Sequence, residues 1–484
     1  MFEPFERYRP IIDDWEAFTE ALARPLPVCV WTNTLRTTPE ALAETLRAEG
    51  CAPEPIAWHP GAFRLHEGAA AAHLPSYLAG LFHIQEEVSM LPAMLLAPHP
   101  GARVLDLCAA PGNKTAELAV AMRNAGTVVA NDLSRGRLNV LRTTVDRLGL
   151  LNVSVTRHDA AAFPGASGGF DGVLLDAPCS CEGTTRKHPR VVAQSSRANS
   201  LRMGRMQTRM LARAAGRCRP GGRLVYATCT FAPEENERVV AETLRTFGDA
   251  VRLLPASVPG FHTTPGLTSW EGESFPDDLR HTLRIWPHHN DTGGFFVAVL
   301  EKSPDAERPS PTPPAILPEP IDPGDVLPPL VARFGFPRAA FEECVFFRPN
   351  DKYISVVARA HRPPAKPSPE MTGMYFLKTA LRHPKLSTQA AMHFGHAATR
   401  NVVSLDGEKL RAYLDRREVR LTATEAARCE AFGYVLVRHG EQTYGVGLFR
   451  PEGAGGRMES LFPKTWAGVH RKPGPAATGG GSGR

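Results

Sequence analysis

No Cys-x-x-Cys pair occurs among the nine cysteines of this 484-residue chain, so neither a zinc ribbon nor a dithiol redox pair is expected. No apolar run is long enough to cross a bilayer, which points away from a membrane partner. The start, Met-Phe-Glu-Pro-Phe-Glu-Arg7, is charged and lacks the apolar core of a secretory signal. Gly-x-Gly-x-x-Gly is missing, and with it the usual cradle for a dinucleotide pyrophosphate. There is no internal repeat, and neither sign of charge dominates. The formal net charge is +6, mildly basic, which is compatible with a nucleic-acid partner without demanding one. Cysteines scattered at irregular spacing suit a reducing compartment, and the cytoplasm is the expected location.

The chain is too long for a single core and should divide into two to four domains. Residues 1–95 read as a small α/β module. Val28–Asn33 is a predicted strand, Pro39 opens a helix through Arg47 that Gly50 ends, and Ile56–Trp58 and Phe63–Leu65 are predicted short strands. Leu81–Met94 is predicted as a helix apolar on one side. Over 96–302 short apolar runs alternate with amphipathic helices. The runs are Arg103–Leu107, Thr127–Ala130, Val153–Val155, Gly172–Leu175 and Leu224–Tyr226, with Phe295–Leu300 as a late, antiparallel closing strand. That alternation predicts a mostly parallel sheet covered on both faces, an α/β fold of Rossmann-like type. Residues 303–323 are rich in proline and charge and read as a linker. Residues 324–470 form a further globular region whose last part is β-rich, and 471–484 is a Gly/Ser/Pro tail expected to be disordered.

Chemistry concentrates at the ends of the predicted strands. Asp106 ends the first, and Ala109-Ala-Pro-Gly112 makes a turn that brings backbone close to a ligand. Asp132 follows the second strand, where a carboxylate can accept hydrogen bonds from both hydroxyls of a ribose. Asp159 follows the third and could reach an adenine amino group, although standing alone it would read as a solvated loop aspartate. Three acids at successive strand ends beside a Pro-Gly turn imply an adenosine-based cofactor without phosphates, S-adenosylmethionine.

Two cysteines end later strands, Cys179 in Asp-Ala-Pro-Cys and Cys229 in Ala-Thr-Cys-Thr. Two thiols aimed at one crevice suggest covalent chemistry on a reluctant substrate, such as cytosine. A thiolate that adds to carbon 6 of the ring makes carbon 5 nucleophilic enough to take a methyl group. An ordinary cysteine has a pKa of about 8.5, so roughly 3% is thiolate at neutral pH. Residue types alone leave open which of the two attacks.

These motifs resemble the Nol/Nop/Sun family of RNA cytosine-carbon-5 methyltransferases. The matching stretches are Cys108–Thr115, Asn131-Asp132, Asp176–Cys179 with Glu182-Gly183 and Arg186-Lys187, Pro220-Gly-Gly with Tyr226–Thr230, Glu234–Glu237 and Thr292–Leu300. The resemblance implies a methyltransferase core in which Cys229 is the nucleophile, Cys179 helps resolve the adduct, and Asp176 polarises the cytosine near the methyl donor. It implies that Cys108, Ala109, Ala110, Pro111, Gly112, Asn113, Lys114, Asp132, Asp159 and Asp176 bind S-adenosylmethionine. Asn33–Arg36 with its following helix is similar to the family's N-terminal RNA-binding module. The stretch from Val402 through Val437 is similar to the C-terminal region of bacterial ribosomal members, with a pseudouridine-synthase-and-archaeosine-transglycosylase (PUA)-like RNA-binding fold.

Two positions depart from the family pattern. Trp31 stands where many members carry arginine, and Cys181 replaces the usual glycine of Pro-Cys-Ser-Gly. Cys181 is expected to be a tolerated loop residue, and no metal site is expected from Cys108, Cys179, Cys181 and Cys229, because no pair among them has the usual zinc spacing. The resemblance implies a monomer acting on RNA, ribosomal RNA of the small subunit first and transfer RNA second. A non-catalytic RNA-binding assembly factor is the alternative class, against which the retained cysteines, Asp176 and cofactor turn speak.

Overall fold

The computed structural model describes residues 2–471 except 67–69, 166–168, 307–316, 318, 380 and 382–384. The predicted disordered tail over 471–484 therefore lies, past Arg471, outside the described residues, as does most of the predicted linker.

A ten-stranded sheet organises the middle of the chain. Its parallel part is β5 (Arg103–Asp106), β6 (Thr127–Asn131), β7 (Val153–Thr156), β8 (Phe170–Asp176) and β9 (Cys218–Thr228), taking as β1–β4 the four strands of the N-terminal sheet given below. The spatial order is β9-β8-β5-β6-β7, every neighbour parallel. These strands are apolar on both faces because helices cover both, and β6 and β7 are buried along their whole length. Phe295–Lys302 lies antiparallel against β9 and carries Leu283–Ile285 beyond it, as predicted for the closing strand. The chain leaves β5 towards β6 on one side and later returns to β8 on the other. This reversal opens a crevice at the carboxyl ends of β5 and β8, the position where open α/β sheets hold ligands.

The N-terminal sheet comprises β1 (Val28–Thr32), β2 (Ala52–Pro55), β3 (Ala62–His66) and β4 (Phe82–Ile84), ordered β2-β3-β1-β4 and antiparallel throughout. Its helix Pro39–Ala48 starts at Thr38, whose Oγ1 accepts from Ala41 N at 3.3 Å. The preceding segment, Glu3–Ala23, does not join this sheet. Phe5, Tyr8 and Phe18 pack instead into the core of the central sheet with Phe231, Trp270 and Trp286.

Three sequence expectations need correction. Ile56–Trp58 is a turn rather than a strand: Ile56 N donates to Ala62 O, and Trp58 Nε1 donates to the buried carboxylate of Glu87 at 2.9 Å. The strand falls one step earlier, at Ala52–Pro55, and its prolines are tolerated because it lies at the sheet edge. Leu81–Met94 is not one helix. Phe82–Ile84 is captured as a strand by the free edge of β1, a 3-10 turn covers Glu87–Met90, and an α-helix begins only at Leu91, where Pro92 occupies the first turn. The linker also ends sooner than composition suggests, since Pro320–Ile321 pairs with Phe346 and Phe347.

Beyond residue 319 lie two further five-stranded sheets. The second, with Gly433–His439 and Gln442–Glu452 at its centre, is the predicted β-rich unit. Met371–Thr372 leaves this region to pair with the outer edge of β7, so the C-terminal part completes the central sheet.

Candidate active site

Asp106 at the end of β5 is buried. Its Oδ2 accepts from Thr115 Oγ1 at 2.6 Å, while Oδ1 is buried with no partner among the described residues. Burial pushes its carboxyl up to about 7. An orphaned carboxylate oxygen costs about 1–3 kcal/mol, and a ligand donating to it in the crevice would recover that cost. Next comes the turn Cys108–Gly112. Gly112 has φ +108, a conformation that disfavours side chains, and an added Cβ would press on Leu141 at 3.1 Å. The turn feeds the helix Asn113–Ala121.

Asp132, after β6, stands behind this turn. Its Oδ2 accepts from Ala110 N at 3.2 Å, its Oδ1 accepts from Ser134 N at 2.8 Å, and Arg137 pairs with it at 3.3 Å. Arg137 also donates to Ala110 O. Asp132 thus shapes the turn itself. Asp159 behaves differently: it is exposed, accepts from Ala161 N at 2.9 Å, and does not reach the cavity described next.

A cavity of about 280 Å³ opens at the carboxyl ends of β5 and β8. Asp106, Cys108–Pro111, Asn113, Lys114, Asp176 and Cys229 line it, so most of the predicted site residues meet there. Lys114 Nζ donates to Asp176 Oδ2 at 2.7 Å and to Ser89 Oγ at 2.9 Å. Burial pulls the Lys114 ammonium down, but the adjacent Asp176 outweighs it and holds the group above its ordinary value, so it stays charged. Cys108 contributes a half-buried thiol, pushed up by burial and by the neighbouring acids.

Two further thiols meet Cys229 behind the cavity wall. Cys179 Sγ lies 3.4 Å from Cys229 Sγ and 4.0 Å from Cys181 Sγ, and Cys181 Sγ donates to Cys179 O at 3.3 Å. All nine cysteines are free. Hydrogen bonds from its two neighbours hold the Cys181 thiol below the ordinary range, whereas contact with Cys181 and burial hold Cys179 above it. Cys229 is lowered by Cys179 but raised more by Cys181 and burial, and it too ends above the ordinary value. The loop bearing Cys179 is braced from behind. Glu235 Oε2 accepts from Ser180 N at 3.0 Å and from Gln207 Nε2 at 2.9 Å, and Gly183 N donates to Cys229 O at 2.9 Å, tying the two cysteine loops together.

Sequence reasoning missed several groups on the cavity wall: Glu86, Ser89, Arg137 and His188. Arg137 had a readable signal, a basic residue in the first turn of the helix that follows Asp132. Glu86 and Ser89 come from the N-terminal module, and nothing local in the sequence indicated that this segment reaches the cavity. The expectation of no metal site rested on spacing within the sequence. The fold instead brings Cys229 across from another strand, so that the sulfurs of Cys179, Cys181 and Cys229 all lie within 4.8 Å of one another.

A Rossmann-like sheet with an acid-rimmed crevice at its switch point, and cysteines at the ends of neighbouring strands, defines a methyltransferase of the α/β class. The family described as 16S rRNA methyltransferase RsmB/F matches residues 93–301, and the ferredoxin-like domain of RsmF/B-like methyltransferases matches residues 7–72. The tRNA (cytosine(49)-C(5))-methyltransferase of Pyrococcus abyssi is 38% identical over 303 residues, which cover 61% of this chain and 94% of that protein. Ribosomal RNA small subunit methyltransferase F of Salmonella paratyphi C is 38% identical over 301 residues, 60% of each chain. The human 28S rRNA (cytosine(4447)-C(5))-methyltransferase is 38% identical over 291 residues, and there the chain spans only 35% of the relative's length. Among solved structures, a methyltransferase homologue from Pyrococcus horikoshii superposes with a TM-score of 0.54 at 34% identity, covering 59% of this chain and 90% of that one. The chain belongs to the RsmB/F family of RNA cytosine-carbon-5 methyltransferases.

Proposed function

We propose that the protein transfers a methyl group from S-adenosylmethionine to carbon 5 of cytosine in ribosomal RNA, of the small subunit first, through a covalent bond from Cys229. The observation that carries this reading is the 3.4 Å approach of Cys179 to Cys229, which lines a cavity that also holds Asp106, Lys114 and Asp176. The residues present fit the cofactor. The orphaned Asp106 Oδ1 offers an acceptor, Asp132 shapes the turn beside it, and the acids suit a cationic sulfonium. S-adenosylmethionine supplies an electrophilic methyl group when bound.

The chain's own groups divide the remaining work. The Cys229 thiolate adds to carbon 6, and the electron pair moves to carbon 5. Asp176, held by Lys114, passes a proton to ring nitrogen 3 as negative charge develops there and takes it back when the adduct collapses. After methylation the carbon 5 proton passes to the Cys179 sulfur acting as base, the pair from that C–H bond becomes the carbon 5–carbon 6 double bond, and the carbon 6–sulfur bond breaks to release the Cys229 thiolate. The base must first be unstacked into the pocket, costing a few kcal/mol in a duplex and less in a loop. Cys108–Lys114, Asp132, Asp159 and Asp176 hold the cofactor in this reading, Asp159 only if its loop turns inward from its present exposed position.

For RNA the support is electrostatic. Helix Arg197–Arg217 contains no acidic residue, and Arg202, Arg205 and Arg209 stand exposed at i, i+3 and i+7 on one face. The N-terminal module and the C-terminal β-rich unit, as a PUA-like domain, are further RNA contacts in the same reading, with domains bounded at 1–95, 96–302 and 320–470. Among the described residues no helix is long and apolar enough to cross a membrane. In the same reading the protein acts as a monomer in the cytoplasm. Transfer RNA is the second reading, because the relative matched over 94% of its own length acts on transfer RNA. The test is mass spectrometry of nucleosides from ribosomal and transfer RNA incubated with the protein and labelled S-adenosylmethionine. Label in 5-methylcytosine of ribosomal RNA is expected. Label only in transfer RNA would select the second reading, and none in either would leave an RNA-binding assembly factor.

A further inference from the structure

Cys181 has no task in the reaction described above, yet its sulfur completes a triangle with the two reactive cysteines. It adopts φ +60, a region where glycine would be at ease, so the backbone does not require a cysteine there. We propose that Cys179, Cys181 and Cys229 form a three-sulfur site for a single thiophilic metal ion of the zinc class, and that the ion and the RNA substrate exclude one another.

The geometry matches such an ion. Sulfurs bound at about 2.3 Å in a tetrahedral arrangement sit about 3.8 Å apart. Here two of the separations are 3.4 and 4.0 Å, and all three sulfurs fall within 4.8 Å of one another. Shifts of a few tenths of an ångström would make them equidistant from one ion. Cys229 faces the cavity, which leaves the fourth position open to water. On binding, each coordinated thiol forms a sulfur–metal bond and releases its proton to the buffer, while the ion keeps its oxidation state. A Cys229 lone pair engaged by the ion is not available to attack carbon 6. This consequence rests on the methyltransferase reading; the existence of the site does not.

The experiment uses the full reduced chain in metal-free buffer. Cadmium is titrated while the thiolate-to-cadmium absorption is followed, and zinc then displaces it. One equivalent is expected to saturate the band, and Cys181→Gly and Cys181→Asn, both at home at positive φ, are expected to weaken binding at least tenfold. Equal affinity in the wild type and both variants, or no sulfur band at all, would overturn the proposal. The cluster of Asp13, His288 and His289 could also take an ion, but its nitrogen and oxygen donors give no such band. In the same preparations zinc should inhibit methyl transfer by the wild type at least tenfold more strongly than by the Cys181 variants, reversibly with chelator. Equal inhibition would overturn the exclusion of RNA. A metal-free protein that methylates no RNA would instead remove the functional reading and leave the titration standing.

Discussion

At the scale of single residues, the site depends on groups that act in pairs. Asp132 is bonded to the turn it supports, so Asp132→Ala should weaken S-adenosylmethionine binding at least tenfold by calorimetry while circular dichroism keeps its native shape. Unchanged affinity would remove Asp132 from the cofactor site. Lys114 holds Asp176 in position, and Lys114→Met should cut methyl transfer at least tenfold with little change in melting temperature. The residues that touch the cavity were largely legible in the sequence because they fall at strand ends, in the short run Asp106–Lys114 and at Asp176 and Cys229. Ser89, Glu86 and His188 were not, since they arrive from separate loops through tertiary packing. Asp159 shows the reverse case. Its place after a strand looked right, but its carboxylate is occupied in capping a short turn.

At the scale of elements, close backbone contacts fix the cysteine loops. An added Cβ on Gly183 would lie 2.1 Å from Gly294 O, and one on Gly204 would lie 2.3 Å from Glu234 O. Gly183→Ala should therefore destabilise the protein by about 1–3 kcal/mol in urea unfolding and depress activity by more than stability alone accounts for, because Gly183 N also anchors the Cys229 loop. The arginine face of helix Arg197–Arg217 belongs to this scale too. Replacing Arg202, Arg205 and Arg209 together by glutamine should weaken RNA binding and flatten its salt dependence by roughly 0.7–0.9 for each phosphate no longer neutralised, with cofactor affinity unchanged. An unaltered salt slope would place the RNA elsewhere. The parallel strands were readable because each is a short apolar run between amphipathic helices. Phe82–Ile84 was not, because an apolar run beside helix-forming residues carries no sign that the edge of β1 waits for it.

At the scale of the whole molecule, buried ionisable groups set how stability responds to pH. Burial pushes the carboxyls of Asp106, Asp146 and Glu235 up to about 7. Unfolded, they would titrate near 4, so between about pH 4 and 7 the folded state holds more protons and stability falls as pH rises. Burial lowers His83, His361 and His393 to about 3, from an unfolded value near 6.5. They act oppositely: the unfolded state holds more protons between those limits, and stability rises with pH there. Above about pH 6.5 the histidine share fades, the Cys181 thiol, held below its ordinary range, still adds stability as pH rises, and the carboxyls contribute a fall in the urea midpoint from pH 6.5 to pH 8. Glu235→Gln should lessen that fall, and an equal fall in the variant would show that Glu235 takes no part. The sharing of one sheet by distant parts of the chain, with Met371–Thr372 closing onto β7, was invisible in the sequence, since a two-residue strand has no pattern of its own.

The proposed reaction turns on Cys229 attacking and Cys179 releasing. The direct measurement is denaturing electrophoresis of the protein after incubation with its RNA and S-adenosylmethionine. Cys179→Ala should accumulate a covalent protein–RNA band, and Cys229→Ala should form none and methylate nothing. A band from Cys229→Ala and none from Cys179→Ala would contradict the account and exchange the two roles.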